Sequence, residues 1–219
     1  MWKPQLQALS QDHTLIFWDF RGHGRSDAPE DLSYYSEALT TADMAALLDA
    51  TGFETAVIGG LSLGGYMSLA FYADYPDRVN GLLIIDTGPG FKNDAAREDW
   101  NRYAESAALR IEEAGGDPSA SPEVTQSVHR SFRGVANAGR TMLKQYNDRV
   151  IHSLPDISVP TIVVVGADDK GFITSTDYMA SKIPGARKLV IANAGHASNM
   201  DQPELFNRGI LAFLADHGL

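Results

Sequence analysis

The chain has 219 residues, of which 44% are hydrophobic and 21% charged, with a formal net charge of −10 at pH 7 and no cysteine. That length holds one well-cored domain and a small insertion. Disulfides, thiolate metal sites and a cysteine nucleophile are excluded, and the acidic balance argues against a nucleic-acid partner, because phosphate binding needs clustered Lys and Arg.

No apolar run approaches the roughly 20 residues that cross a bilayer. The first residues lack the basic start, apolar stretch and small-residue cleavage site of a secretory signal. A cytoplasmic location without membrane attachment is therefore expected. His13, His23, His129, His152, His196 and His217 show no H-x-x-x-H or H-x-H spacing, so no metal site is expected.

In chain order, Leu15 to Trp18 reads as a buried strand and Glu37 to Ala50 as a helix. Ala56 to Ile58 is a second strand, Tyr66 to Ala73 a helix, and Leu82 to Ile85 a third strand. From Gly88 to Ile157 the alternation stops, and an Ala-, Arg- and Glu-rich segment suggests three helices. The first runs from about Asp94 to Ala114 and ends at Gly115-Gly116. The second opens with Ser121-Pro122-Glu123, an N-cap followed by proline. The third runs from about Ala136 to Ser153. Ile162 to Val165 and Leu189 to Ile191 complete five buried strands, with helical patterns at Thr174 to Lys182 and Pro203 to Phe213. Strands alternating with helices predict an α/β fold: a mostly parallel sheet with helices on both faces.

The motif that carries chemistry is Gly60-Leu61-Ser62-Leu63-Gly64, placed between the strand at Thr55 to Gly59 and the helix that starts near Gly65. Strand, G-x-S-x-G, helix is the setting of a nucleophile elbow. The serine then takes strained backbone angles, and Gly60 and Gly64 are expected to remove side chains that would collide across the turn.

A serine nucleophile needs a base, and the base needs an orienting carboxylate. Candidates follow in the order serine, aspartate, histidine. The strand ending at Val165 runs into Gly166-Ala167-Asp168-Asp169, and the strand ending at Ile191 runs into Asn193-Ala194-Gly195-His196. Residues just past the C-terminal ends of parallel strands share the edge where such sheets bind ligands.

Asp19-Phe20-Arg21-Gly22-His23-Gly24-Arg25-Ser26, Gly60 to Gly65, Val165 to Asp169 and Ala194-Gly195-His196 together resemble the α/β-hydrolase family, and the likeness runs from Trp2 to the C-terminus. The first of these looks like the family's D-x-R-G-x-G-x-S turn, whose residues serve turn and capping chemistry. The resemblance implies that Ser62 is the nucleophile, Asp169 the acid and His196 the base. Asp169 is preferred to Asp168 because the family's acid usually falls three positions after the strand-ending glycine; Asp86 is a weaker alternative. It also implies a core of residues 1–87 and 158–219 and a helical cap of residues 88–157. In that cap Trp100, Phe132, Met142 and Tyr146 either line a substrate pocket or only join the cap helices. The implied activity is hydrolysis of a small carboxylic ester or lactone through an acyl-enzyme, with no cofactor. Carbon–carbon bond hydrolases and cofactor-free perhydrolases share the triad, and a binding protein on the same fold is the competing class.

The family normally begins with two or three strands before the element where this chain starts. The last of them ends in an H-G-type turn that supplies one oxyanion amide. Met1 to Leu9 already resembles the helix after that turn. The resemblance thus implies that Met1 is an internal methionine of a longer product. Leu63 is then the one assignable oxyanion donor, and the strands around Leu15 and Ala56 are expected about 10 Å apart with no ladder between them.

Overall fold

A computed structural model describes residues 1–115 and 128–219. The helix expected to open at Ser121 lies outside the described residues. The chain divides into two compact units: Met1–Ile16, Met44–Pro89 and Arg149–Leu219 form the first, and Phe17–Asp43 with Gly90–Asp148 form the second.

In the first unit, helix α1 (Lys3–Leu9) opens with Pro4 in its first turn, where a missing N–H costs nothing. Helix α2 (Glu37–Thr51) begins in the second unit and ends in the first. Strand β1 (Ala56–Leu61) leads into helix α3 (Leu63–Asp74), and strand β2 (Val79–Ile85) follows. After the excursion through the second unit, β3 (Thr161–Gly166) is followed by α7 (Ile173–Lys182). Strand β4 (Arg187–Ile191) then leads to the short α8 (Ser198–Asp201) and to α9 (Pro203–His217).

The four strands are parallel and stand in the order β1-β2-β3-β4. Register pairs Leu61 with Ile85, Ile85 with Val164, and Gly166 with Ile191, so all four C-terminal ends share one edge. Leu61, Ile85, Ile162, Val164 and Ile191 pack against Phe206, Ile210, Phe213 and Leu214 of α9. Alternation along the strands sends Leu82, Ile84, Val163 and Val165 to the other face, and α3 and α7 pack on the sheet as well. Burial is deepest in the middle: every residue of β3 is buried, whereas β4 alternates and leaves Val190 47% exposed.

Leu15 to Trp18 is not a strand. Residues 14–20 make no ladder, and Ile16 and Phe17 are 37% and 44% exposed. β-forming side chains give a strand only when a partner takes up the backbone hydrogen bonds, and among the described residues β1 pairs with β2 alone. Phe17 and its successors belong to the second unit. There the Asp19–Ser26 turn closes on itself: Asp19 Oδ2 accepts from the Arg25 amide at 3.0 Å, and Ser26 Oγ donates to the Asp19 carbonyl at 2.6 Å.

Among its described residues, the regular elements of the second unit are helices. Helix α4 (Asp94–Ala114) is capped by Asn93, whose Oδ1 accepts from the Ala96 amide, and stops at Gly115 in the left-handed conformation. The helix expected from Ala136 to Ser153 is broken. Helix α5 (Phe132–Thr141) ends early, and α6 (Arg149–Ser153) restarts within the first unit. The physical reason is competition for the backbone between them. Asn101 donates from Nδ2 to the Gln145 carbonyl at 2.8 Å and accepts from the Gln145 amide at 2.7 Å. Trp100 Nε1 donates to the Leu143 carbonyl at 2.7 Å. Side chains of α4 thus satisfy groups that a continuous helix would have paired internally.

Candidate active site

Ser62 is the single residue between β1 and α3, at φ 56° and ψ −117°. No favoured region for an L-residue includes those angles, so the turn holds stored strain of about 1–3 kcal/mol. Two hydrogen bonds pin it: the Ser62 amide donates to the Ile85 carbonyl at 2.9 Å, and its carbonyl accepts from the Tyr66 amide at 3.1 Å. A Cβ at Gly60 would stand 2.5 Å from the Gly64 backbone, which is why glycine is required there. At Gly64 the expectation fails, since a Cβ there would meet nothing within 4 Å. It is the backbone of Gly64 that crowds Gly60, so the motif's two glycines are not equivalent.

Leu63 is the first residue of α3. Amides of a helix's first turn have no acceptor within the helix, and the helix dipole adds partial positive charge there. Leu63 thus offers a donor beside Ser62 that favours a developing anion.

β3 ends at Gly166, and the turn after it carries Asp169. The Asp169 amide donates to the Gly166 carbonyl at 3.1 Å, and its own carbonyl accepts from the Phe172 amide at 3.0 Å. Asp168 is exposed, while Asp169 is buried at 9% exposure. β4 ends at Ile191, and its loop folds back over the end of β3: the Asp168 amide donates to the Ala194 carbonyl at 2.8 Å. A Cβ on Gly166 would stand 2.1 Å from the Gly195 carbonyl oxygen, so the approach of these two loops depends on glycine at that strand end.

The fold brings Asp169 and His196 together, with His196 Nδ1 2.7 Å from Asp169 Oδ2. A carboxylate facing Nδ1 places the proton on that nitrogen and leaves Nε2 as the acceptor. The imidazole is half-buried and lies under the ring of Phe172, with centroids 4.9 Å apart and planes at 28°. The base of the loop is anchored by the buried Gln5, whose Nε2 donates to the Asn199 carbonyl at 2.8 Å and whose Oε1 accepts from Asn199 Nδ2 at 3.1 Å.

Asp86 follows β2 at the same edge, fully buried and at φ 45°. Burial pushes its carboxyl up to about 6, against the opposing pull of hydrogen bonds from Ser198 and Gly166 and of the charge of His196. Phe172 and Ser198 have no sequence signal: no motif marks them, and only their nearness in sequence to Asp169 and His196 places them here.

The four aromatic and sulfur side chains expected either to line a pocket or to join the cap helices lie in the second unit in unlike settings. Trp100 packs between Phe91 and Tyr103, with centroids at 5.8 and 5.3 Å, and Met142 is 2% exposed. Phe132 is half-buried and meets His129 edge-on, while Tyr146 is 71% exposed. Among the described residues no cluster of His, Asp and Glu is fit to hold a metal ion, and no helix is long and apolar enough to cross a membrane.

Residues 1–208 match the profile of the alpha/beta hydrolase family. The chain is 29% identical over 222 residues to 3-oxoadipate enol-lactonase 1 of Acinetobacter baylyi, covering 94% of this chain and 80% of that protein. It is 25% identical over 229 residues to a putative 2-succinyl-6-hydroxy-2,4-cyclohexadiene-1-carboxylate synthase of Bacillus subtilis, covering 95% and 84%. Among solved structures it resembles a thermophilic esterase from Thermogutta terrifontis with malate bound, at TM-score 0.81 and 29% identity, covering 99% of this chain and 85% of that one.

Proposed function

The chain belongs to the α/β-hydrolase family, and from that premise we propose that it is a serine hydrolase that cleaves a small carboxylic ester or lactone through an acyl-enzyme. Ser62 attacks the carbonyl carbon. His196 takes the Ser62 proton on Nε2 and returns it to the leaving alkoxide, while Asp169 orients the imidazole and stabilises its cation. The Leu63 amide donates to the oxyanion, in the position where one such donor is worth about 10²–10³ in rate. Water activated by the same imidazole then clears the acyl group.

One observation carries this reading. The contact between His196 Nδ1 and Asp169 Oδ2 joins two loops at the edge that also holds the strained Ser62 turn. The likeness to an enol-lactonase and to an esterase, both at 29% identity, supports an ester or lactone as the bond cleaved.

The test is a panel of short-chain p-nitrophenyl esters and small enol-lactones, assayed with wild type and with Ser62→Ala. Turnover by wild type and a loss of at least about 10³-fold in kcat for Ser62→Ala is the expected result. If wild type turns over no ester or lactone, the ester-or-lactone reading fails, and a carbon–carbon bond hydrolase or perhydrolase on the same triad, or a binding protein on this fold, takes its place.

A further inference from the structure

Asp86 has no part in the mechanism above, yet it is the most deeply buried carboxylate at the strand ends. Its two oxygens face different loops. Oδ1 accepts from the Gly166 amide at 2.7 Å; Oδ2 accepts from Ser198 Oγ at 2.5 Å and from the Ser198 amide at 3.3 Å. Gly166 ends β3 three residues before Asp169, and Ser198 opens α8 two residues after His196. One side chain therefore holds the roots of both loops whose tips carry the acid and the base.

We propose that Asp86 is a positioning residue: its carboxylate braces the acid loop against the base loop and so keeps His196 Nδ1 on Asp169. The proposal rests on the serine-hydrolase reading. Three physical points support it. Hydrogen bonds to a carboxylate are about twice as strong as neutral ones, which suits a brace that must hold distances. A buried carboxylate is costly to keep, and the rise of its pKa to about 6 by burial reflects that cost; a link needed for stability alone is served as well by a neutral side chain. Finally, Asp86 sits at φ 45°, in the left-handed region that few non-glycine residues other than Asn, Asp and His occupy, and that backbone turn places the carboxylate between the loops.

A misplacement of about 1 Å at a catalytic group costs about 10²-fold in rate, which sets the scale of the test. The readout is the second-order rate constant for labelling by an alkyl fluorophosphonate, together with kcat and KM for p-nitrophenyl acetate. Wild type, Asp86→Asn, Ser198→Ala, Asp169→Asn and both double variants with Asp169→Asn are compared. Asp86→Asn is expected to lower labelling and kcat by about 10–100-fold with KM within about twofold, and Ser198→Ala to lower them by about 3–10-fold. In the Asp169→Asn background each is expected to lower the rate by less than about threefold, because what the brace positions is already gone. Rates within twofold of wild type in the normal background overturn the proposal, as does an equal loss in both backgrounds, which is the mark of a general scaffold effect. If Asp86→Asn fails to fold, the Ser198→Ala cycle decides alone. Failure of the parent reading looks different: wild type itself is not labelled, or Ser62→Ala is labelled as fast, and the brace falls with it.

Discussion

The two units are held together by different means. In the first, four parallel strands set the positions of the loops through backbone hydrogen bonds, and each candidate catalytic group lies within a few residues of a strand end. In the second, side chains do this work. Trp100 and Asn101 of α4 take up the backbone at Leu143 and Gln145, Arg140 pairs with Glu112 at 2.6 Å, and Lys144 pairs with Glu105 at 2.6 Å. The candidate catalytic groups Ser62, Asp169 and His196 thus all lie in the unit built on the backbone ladder.

The sharpest way to separate the units is to remove a group at a strand end. Asp169→Asn is expected to lower kcat by about 10³–10⁴-fold, because an amide favours the wrong imidazole tautomer. Its thermal melt should stay close to wild type. Steady-state kinetics on the best p-nitrophenyl ester checks the first statement and calorimetry the second; a kcat within tenfold of wild type breaks the assignment.

A substitution in the helical unit should show the reverse pattern. Asn101→Ala leaves the Gln145 amide and carbonyl without the partners they have now, at a cost of about 1–3 kcal/mol. Hydrogen exchange should quicken across residues 142–148, while fluorophosphonate labelling stays within about threefold of wild type. Unchanged exchange there would mean that Asn101 does not hold this loop.

The third effect is a pH dependence with a definite sign. The Asp86 carboxyl is raised to about 6 from the ordinary aspartate value of 3.8, so the folded state binds its proton more tightly than the unfolded chain does. Its contribution to stability is fully present below about pH 4 and is lost as pH rises through about 6. The stability of Asp86→Asn relative to wild type should therefore increase by about 1 kcal/mol between pH 5 and 7.5. Denaturant melts at both pH values measure it, and a flat or falling difference contradicts the burial of an ionised Asp86.

The smallest effect belongs to the exposed pair Arg102–Asp99, whose side chains are 69% and 70% exposed. Arg102→Ala should shift the melt by less than about 0.5 kcal/mol, and less still in high salt.

Legibility in the sequence follows the same division. The parallel α/β order and the elbow at Ser62 are readable because a strand, a turn and a helix each have a local signature. The residue types past β3 and β4 are readable as a shared edge for the same reason. Leu15 to Trp18 is misread because its apolar β-formers name a propensity, and a strand needs a partner. The break after Thr141 is invisible because its cause, Asn101 and Trp100, lies about 40 residues away in sequence. Gly64 is assigned the clash that a side chain at Gly60 would make, since spacing alone does not say which of two crowded residues must lack a Cβ. Phe172 over His196 and the Asp86 brace are tertiary facts without a motif.

Covalent labelling tests, without knowledge of the substrate, whether Ser62 is a nucleophile activated by His196. Purified protein is treated with an alkyl fluorophosphonate at pH 7.5, and intact mass and peptide mapping locate the adduct. One adduct per chain is expected, on the peptide that contains Ser62, absent from Ser62→Ala and formed at least about 10³-fold more slowly in His196→Gln. An unlabelled wild type, or an adduct that persists in Ser62→Ala, would contradict that role for Ser62.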